Sequence, residues 1–190
     1  VRGGKQLHGS VNTNTSKNGA LHLMCASILN RGTTLLKDVP HIEEVNRLLE
    51  IFTEIGVSTR WINNHDLEIK TPKKFKVEGL MSEASKRIRS GLMLIGPLVH
   101  FEKEFKMPNA GGCKMGERTI SAHKFGLEKF GVKIQTNSAD YDITATKLKP
   151  AEVVMYEMSD TATVNVLLAA ASIPGVTEIK FASANYQIQD

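Results

Sequence analysis

Cysteine is scarce in this chain: its 190 residues hold two, Cys25 and Cys113, far apart and without the C-x-x-C or Cys/His spacing of a metal site. That excludes a disulfide-stapled scaffold or a structural zinc centre, and it predicts two reduced thiols. Long apolar runs are missing as well. The longest nearly apolar stretches, Gly91 to Val99 and Val164 to Ile173, are about ten residues, against the roughly 20 a membrane-spanning helix requires. The N-terminus, Val1-Arg2-Gly3-Gly4-Lys5, has neither an initiating Met nor a hydrophobic signal region, which predicts a trimmed, cytoplasmic chain. No Walker-type loop, dinucleotide fingerprint, serine nucleophile elbow or metal-binding helix is present, so the expected chemistry uses no cofactor. Aromatic residues make up 6%, and the formal charge of +4 is spread along the chain without a basic block, which argues against a nucleic-acid partner and mildly favours small anionic ligands.

What the chain does have is an internal repeat. Ser16-Lys17-Asn18-Gly19-Ala20-Leu21 aligns with Ser159-Asp160-Thr161-Ala162-Thr163-Val164, a shift of 143, and the register continues through Gly32 with Gly175 and Leu36 with Ile179. Each copy reads as a small-residue-rich helix, a Gly stop and a strand. At a shift of about 75, Glu54-Ile55-Gly56-Val57 faces Lys129-Phe130-Gly131-Val132, and Asp66-Leu67-Glu68-Ile69 faces Asp140-Tyr141-Asp142-Ile143, a second helix followed by two strands. Val45, Leu48, Leu49, Phe52 and Ile55 recur at helical spacing, as do Ile120, His123, Leu127 and Phe130, while Ile88, Leu92 and Ile95 predict the first helix of a middle unit. The expected fold is therefore α/β, built from helix–strand–helix–hairpin units of about 70 residues that begin near Ser16, Arg87 and Ser159. The third unit stops at Asp190 after its first helix and a strand from Val176 to Phe181, so its second helix and hairpin are expected to be absent. Such a unit leaves apolar faces uncovered and calls for another chain or the rest of a longer one; the alternative is a repeat that degenerates into a tail.

Several residues carry potential chemistry. Cys113 follows Ala110-Gly111-Gly112 and precedes Lys114, with Arg118 five residues on. Glycines let a ligand approach the backbone and nearby cations lower a thiol pKa, so Cys113 is a candidate nucleophile or proton donor. Its local sequence leaves an ordinary loop cysteine equally open. Cys25 sits at helical spacing among Leu21, Met24 and Ile28 and reads as inert core. Lys17 and Asn18 open a helix, where amide donors and a cation favour a phosphate or carboxylate; the plainer reading is a capped, solvated first turn. Arg87, Arg89, Ser159 and Asp160 place polar groups at the other two unit openings. His123 lies on an apolar stripe and is read as a core residue rather than a base.

Ser16 to Leu21, Arg89-Ser90 with Gly96-Pro97-Leu98-Val99, and Gly111-Gly112-Cys113 through Arg118 together resemble successive motifs of the UDP-N-acetylglucosamine enolpyruvyl transferase family, in order and spacing, across all 190 residues but only about the first half of that family's chain. The resemblance implies an inside-out α/β barrel domain over residues 16–190, with residues 1–15 forming a strand that belongs to or bridges toward a second domain. It implies enolpyruvyl transfer from phosphoenolpyruvate to the 3′-hydroxyl of UDP-N-acetylglucosamine, releasing phosphate, at the start of peptidoglycan synthesis. Cys113 would then be the general acid and the target of fosfomycin. Lys17 and Arg118 would neutralise the phosphate of phosphoenolpyruvate and Asn18 would position the reacting groups. Arg89 and the segments Arg118-Thr119-Ile120-Ser121-Ala122 and Glu157-Met158-Ser159-Asp160 would contact the nucleotide sugar.

Three departures from that family's pattern stand out. Glu157 replaces a lysine that holds the diphosphate, Ser121 replaces an aspartate that contacts uridine, and Asp160-Thr161 replace a Val-Gly pair, so a related nucleotide sugar is an alternative acceptor. The family's acceptor-activating aspartate and a further arginine fall outside these residues, so this chain alone is expected to bind ligand at best. The 3-phosphoshikimate enolpyruvyl transferases share the architecture but lack the cysteine loop. A non-catalytic half-enzyme that binds a nucleotide sugar or regulates a partner is the reading from a different class.

Overall fold

The computed structural model describes residues 3–109 and 119–189. Helix α1, Lys17–Ser27, begins where Ser16 is extended (φ −61°, ψ 119°) and its Oγ accepts from the Gly19 amide at 3.1 Å. Such an N-cap contributes about 1 kcal/mol. Strand β1 (Thr33–Leu36) leads to α2 (Glu43–Glu54), whose Val45, Leu48, Ile51 and Phe52 are buried at the three-and-four spacing of one helix face. The helix stops at Gly56, which takes φ +87°, and a hairpin of β2 (Ser58–Trp61) and β3 (Leu67–Lys70) follows. Strand β3 lies in the middle, antiparallel to both neighbours, with Lys70 opposite Thr33 on one side and Ser58 on the other.

The middle unit repeats this plan after a connection made of a 3-10 segment, Val77–Met81, and α3, Glu83–Arg87. Its first helix is a 3-10 segment, Ser90–Leu94, running into α4, Ile95–Leu98. Then come β4 (Glu104–Pro108), α5 (Ser121–Glu128), β5 (Val132–Thr136) and β6 (Asp140–Ala145). Gly131, at φ +95°, ends the helical turn as Gly56 does, and β6 again takes the central place between β4 and β5. Tyr141 and Ile143 point inward where Leu67 and Ile69 do in the first unit.

The third unit departs from expectation in two ways. Strand β7 (Glu152–Val154) precedes α6 (Asp160–Ala170) and pairs in parallel with β8 (Glu178–Lys180), a crossover the sequence reading lacked. Parallel pairing demands such a connection, and α6 supplies it. The expected strand Val176 to Phe181 shortens to β8 because it has a partner over three residues alone. The third unit's second helix is also not absent. Helix α7, Tyr186–Gln189, starts 26 residues after α6 begins, the interval that separates the starts of α1 and α2. The unit remains incomplete in its hairpin, and exposed apolar side chains gather around it: Val176 (90%), Phe181 (65%) and Tyr186 (65%). Residues 3–15 are exposed and belong to no helix or strand, and the expected strand, which bridges toward a second domain, would have its partner there. A strand needs a neighbour to take its backbone hydrogen bonds, and none of the described residues offers one.

Helix α6 is the centre of the packing. Ala162, Thr163, Val164, Asn165, Val166, Leu168 and Ala169 are all buried, most of the helix's circumference, and Leu167, 37% exposed, marks the open strip. Two glycines let its neighbours close on it. A Cβ on Gly96 would stand 2.3 Å from the Asn165 carbonyl oxygen, and one on Gly126 would stand 2.4 Å from Val166 Cγ2. By contrast, a Cβ on Gly91 would meet Ile51 Cδ1 at an ordinary 3.6 Å. Gly96→Ala is therefore expected to lose about 2–3 kcal/mol of stability or to fail to fold, whereas Gly91→Ala stays within about 1 kcal/mol. Urea unfolding of both variants checks this, and equal midpoints would show that the close approach is relaxed at little cost.

Candidate functional site

Each unit opening is held by a tie of different chemistry, and one further tie joins the third unit to the first. Lys17 Nζ lies 2.6 Å from Glu44 Oε2, joining the first turns of α1 and α2. Glu44 is itself well placed, because α2 has no side-chain cap and its first turn favours carboxylates. With Lys17 half exposed, the pair contributes no more than about 1 kcal/mol, so an incoming anion can exchange for Glu44. In the middle unit the Arg89 guanidinium donates to the Thr119 carbonyl at 2.6 Å, just ahead of α5. In the third, Ser183 Oγ donates to the Asp160 carboxylate, and Ser159 Oγ caps α6 through the Ala162 amide at 3.4 Å. Gln187 Nε2 on α7 reaches back to Ser16 Oγ at 2.6 Å, so the first turns of α1, α6 and α7 share one surface. His22 lies buried beneath it. Burial pushes its imidazole down, against the Gln187 backbone and the Asp160 charge, which favour protonation.

Behind this surface runs a buried polar chain. Asn165, fully buried, donates from Nδ2 to the Leu92 carbonyl at 2.9 Å, and its Oδ1 accepts from the Gly96 amide at 2.6 Å. The same Nδ2 lies 3.0 Å from His123 Nδ1, while His123 Nε2 lies 3.3 Å from Thr161 Oγ1. His123 is thus a core residue, as its position on an apolar stripe predicts, and burial, with the Arg89 charge as a smaller cause, pushes its pKa down to about 4.

The expected site residues divide accordingly. Lys17, Asn18, Ser159, Asp160 and Thr161 stand at the first turns of α1 and α6, and Arg89 and Thr119 meet directly. Ser121 is exposed while Ile120 and Ala122 are buried, so the latter two could meet a ligand through backbone alone. Glu157 and Met158 are exposed. Cys113 and Arg118 lie outside the described residues. Cys25 is buried, and burial raises its thiol pKa far above the ordinary value, so it is inert. Among the described residues no group of three His, Cys, Asp or Glu could hold a metal, and no helix is long and apolar enough to cross a membrane. Sequence reasoning missed Glu44, Asn165, Ser183 and Gln187. Asn165 alone carried a signal, as the one polar side chain in the run from Val164 to Ala171 that a core helix would have to satisfy.

The model of the EPSP synthase (3-phosphoshikimate 1-carboxyvinyltransferase) family matches residues 1–190. Among relatives, the UDP-N-acetylglucosamine 1-carboxyvinyltransferase of Bradyrhizobium diazoefficiens is 34% identical over 190 residues, and those of Borreliella burgdorferi and Treponema pallidum are 33% and 32% identical. Each match takes in 100% of this chain and 44% of the relative, so the chain spans less than half their length. Among solved structures, the enolpyruvyl transferase NikO from Streptomyces tendae superimposes with a TM-score of 0.79 at 20% identity, over 99% of this chain and 44% of that one. An EPSP synthase from Acinetobacter baumannii gives a TM-score of 0.72 at 20% identity, over 95% and 42%. These two establish the fold.

Acid should weaken this site's foundation. The unfolded chain protonates His123 below its ordinary 6.5, whereas the folded chain does so only near 4, so stability is lost as pH falls from about 6.5 to about 4. Between about pH 7 and 5 the loss from this one group is about 2 kcal/mol, and His22 and His100, also lowered by burial, act in the same direction. Urea unfolding at the two pH values measures it; unchanged midpoints would mean that His123 is not held neutral.

Proposed function

This chain belongs to the EPSP synthase family of enolpyruvyl transferases, and from that membership we propose that it forms part of a UDP-N-acetylglucosamine 1-carboxyvinyltransferase, acting in the cytoplasm on peptidoglycan precursors. The observation that carries the reading is the likeness over all 190 residues to relatives of that name, and the resemblance of Gly111-Gly112-Cys113 through Arg118 to that family's cysteine loop supports it. Residues 16–190 form the transferase domain and residues 1–15 lead toward a second domain. The complete site draws on the rest of a longer protein or on another chain, and this chain alone binds ligand without turnover.

In the proposed reaction the Cys113 thiol gives its proton to C3 of phosphoenolpyruvate while the 3′-hydroxyl oxygen of the sugar nucleotide bonds to C2 and passes its own proton to a carboxylate base outside these 190 residues. The Cys113 thiolate then takes a proton back from C3 of the tetrahedral intermediate as the C2–O bond to phosphate breaks, which restores the double bond and releases phosphate. Lys17 and Arg118 neutralise the phosphate, and Lys17 exchanges Glu44 for it as the anion arrives. Asn18 positions the reacting groups. Arg89 and the walls Thr119 to Ala122 and Glu157 to Asp160 hold the nucleotide sugar. No cofactor is needed for these steps, and fosfomycin would alkylate Cys113.

The exposed Glu157 favours a second reading, a non-catalytic half that binds a different nucleotide sugar or regulates a partner, because a carboxylate in the expected diphosphate wall repels that ligand. The family model's own name points to 3-phosphoshikimate as a third acceptor, and the Cys113 segment argues against it.

Mass spectrometry of the full-length protein incubated with phosphoenolpyruvate and UDP-N-acetylglucosamine is expected to show an adduct on Cys113 that disappears in Cys113→Ser. Neither adduct nor phosphate release would end the transferase reading. Glu157→Lys is expected to tighten UDP-N-acetylglucosamine roughly five-fold in a calorimetric titration, as about 1 kcal/mol would produce. Unchanged affinity would place Glu157 away from the diphosphate.

A further inference from the structure

Asn165 has no freedom in how its amide is oriented. The Leu92 carbonyl can only accept and the Gly96 amide can only donate, so Nδ2 must face the former and Oδ1 the latter. This assignment rests on backbone groups and not on a choice between similar side-chain atoms. Its second Nδ2 proton then points at His123 Nδ1, 3.0 Å away, which must be the bare, accepting nitrogen. A neutral imidazole with a bare Nδ1 carries its proton on Nε2, and that nitrogen faces Thr161 Oγ1 at 3.3 Å. The threonine hydroxyl therefore accepts from His123 and keeps its own proton to donate. Among the described residues that proton has no acceptor.

Thr161 follows Asp160 in the first turn of α6, on the surface that α1, α6 and α7 share, and it is neither fully buried nor fully exposed. We propose that Asn165 and His123 are positioning residues that make Thr161 an obligate hydrogen-bond donor toward a phosphoryl oxygen of the bound nucleotide sugar. The inference rests on the acceptor reading above and adds to it. Asp160 and Glu157 oppose a diphosphate at this wall, and a fixed donor beside them offsets part of that opposition without adding charge. Specificity follows too, because a donor locked by a buried network penalises any ligand that presents another donor there. Protonation of the imidazole would break the lock by placing a second N–H against Asn165 Nδ2, and burial with the Arg89 charge opposes it. Among the described residues, the Asp160 and Glu44 carboxylates and Lys17 also carry charge at the first turns of α1, α2 and α6.

Two measurements test the proposal. In the unaltered chain, nitrogen-15 NMR of His123 is expected to show a protonated Nε2 and a bare Nδ1 from about pH 8 to about pH 5. A protonated Nδ1 would overturn the lock. Calorimetric titration with UDP-N-acetylglucosamine, and separately with inorganic pyrophosphate, is then compared among the unaltered chain, Thr161→Val and Thr161→Ser. Loss of one hydrogen bond to a charged oxygen is expected to weaken binding about ten-fold or more in Thr161→Val, with Thr161→Ser close to the unaltered chain. Thermal melting of each variant separates this from misfolding. Equal affinity of Thr161→Val and the unaltered chain would overturn the donor role, as would failure of the unaltered chain to bind either probe. Binding of pyrophosphate that depends on the hydroxyl, without binding of UDP-N-acetylglucosamine, would keep the donor role and remove the acceptor reading.

Discussion

The amide of Asn165, wedged between α6 and the helical segment from Ser90 to Leu98, ties the fold to the site. Its two backbone partners belong to the middle unit and its own helix belongs to the third, so the contact joins units that the sequence separates by about 70 residues. Gly96 makes it possible by admitting the Asn165 backbone where any Cβ would collide. A buried amide left unsatisfied costs about 1–3 kcal/mol per lost partner, so the two helices cannot slide or rotate without a penalty that is large on the scale of a domain's net stability. Gly126 applies the same closeness on the other side of α6, against Val166, and the His123 ring of α5 completes the layer.

From that fixed centre the unit openings are aimed at one surface. The repeat supplies equivalent positions, and each unit fills them differently: an ammonium with a carboxylate in the first, a guanidinium with a backbone carbonyl in the second, a carboxylate with a hydroxyl in the third. Duplication explains why equivalent positions carry these groups, and divergence explains why their partners differ. The charges at the unit openings are mixed, since Lys17 pairs with Glu44 and the third unit opens on Asp160.

Much of the architecture was legible because its signals are local and repeat. Helix stops at Gly56 and Gly131 announce themselves through a residue that tolerates positive φ, and the alternation of β3 and β6 is visible in Leu67, Ile69, Tyr141 and Ile143. Strand β7 left less trace, because three residues are too few for a period to emerge and its pairing with β8 is set by the crossover of α6. Helix α7 was hidden for a related reason: one turn has no periodicity, and only its 26-residue offset from α6 identifies it. At the site, positions within motifs were readable as far as Lys17, Arg89 and Asp160. Their partners were not, since Glu44, Ser183 and Gln187 acquire meaning only from contacts across units. Cys113 showed both limits at once, for its own loop left function open and only the accompanying motifs suggested the role proposed for it.

The claim on which the rest stands is that the Asn165 crossing does not open short of unfolding. Native-state hydrogen exchange of the Gly96 amide, which donates to Asn165 Oδ1 at 2.6 Å, tests it directly. The expected result is an opening free energy equal to that of global unfolding measured in urea under the same conditions. Exchange at a markedly lower free energy, with the same slope in denaturant as local fraying, would contradict the account and leave fold and site without a common foundation.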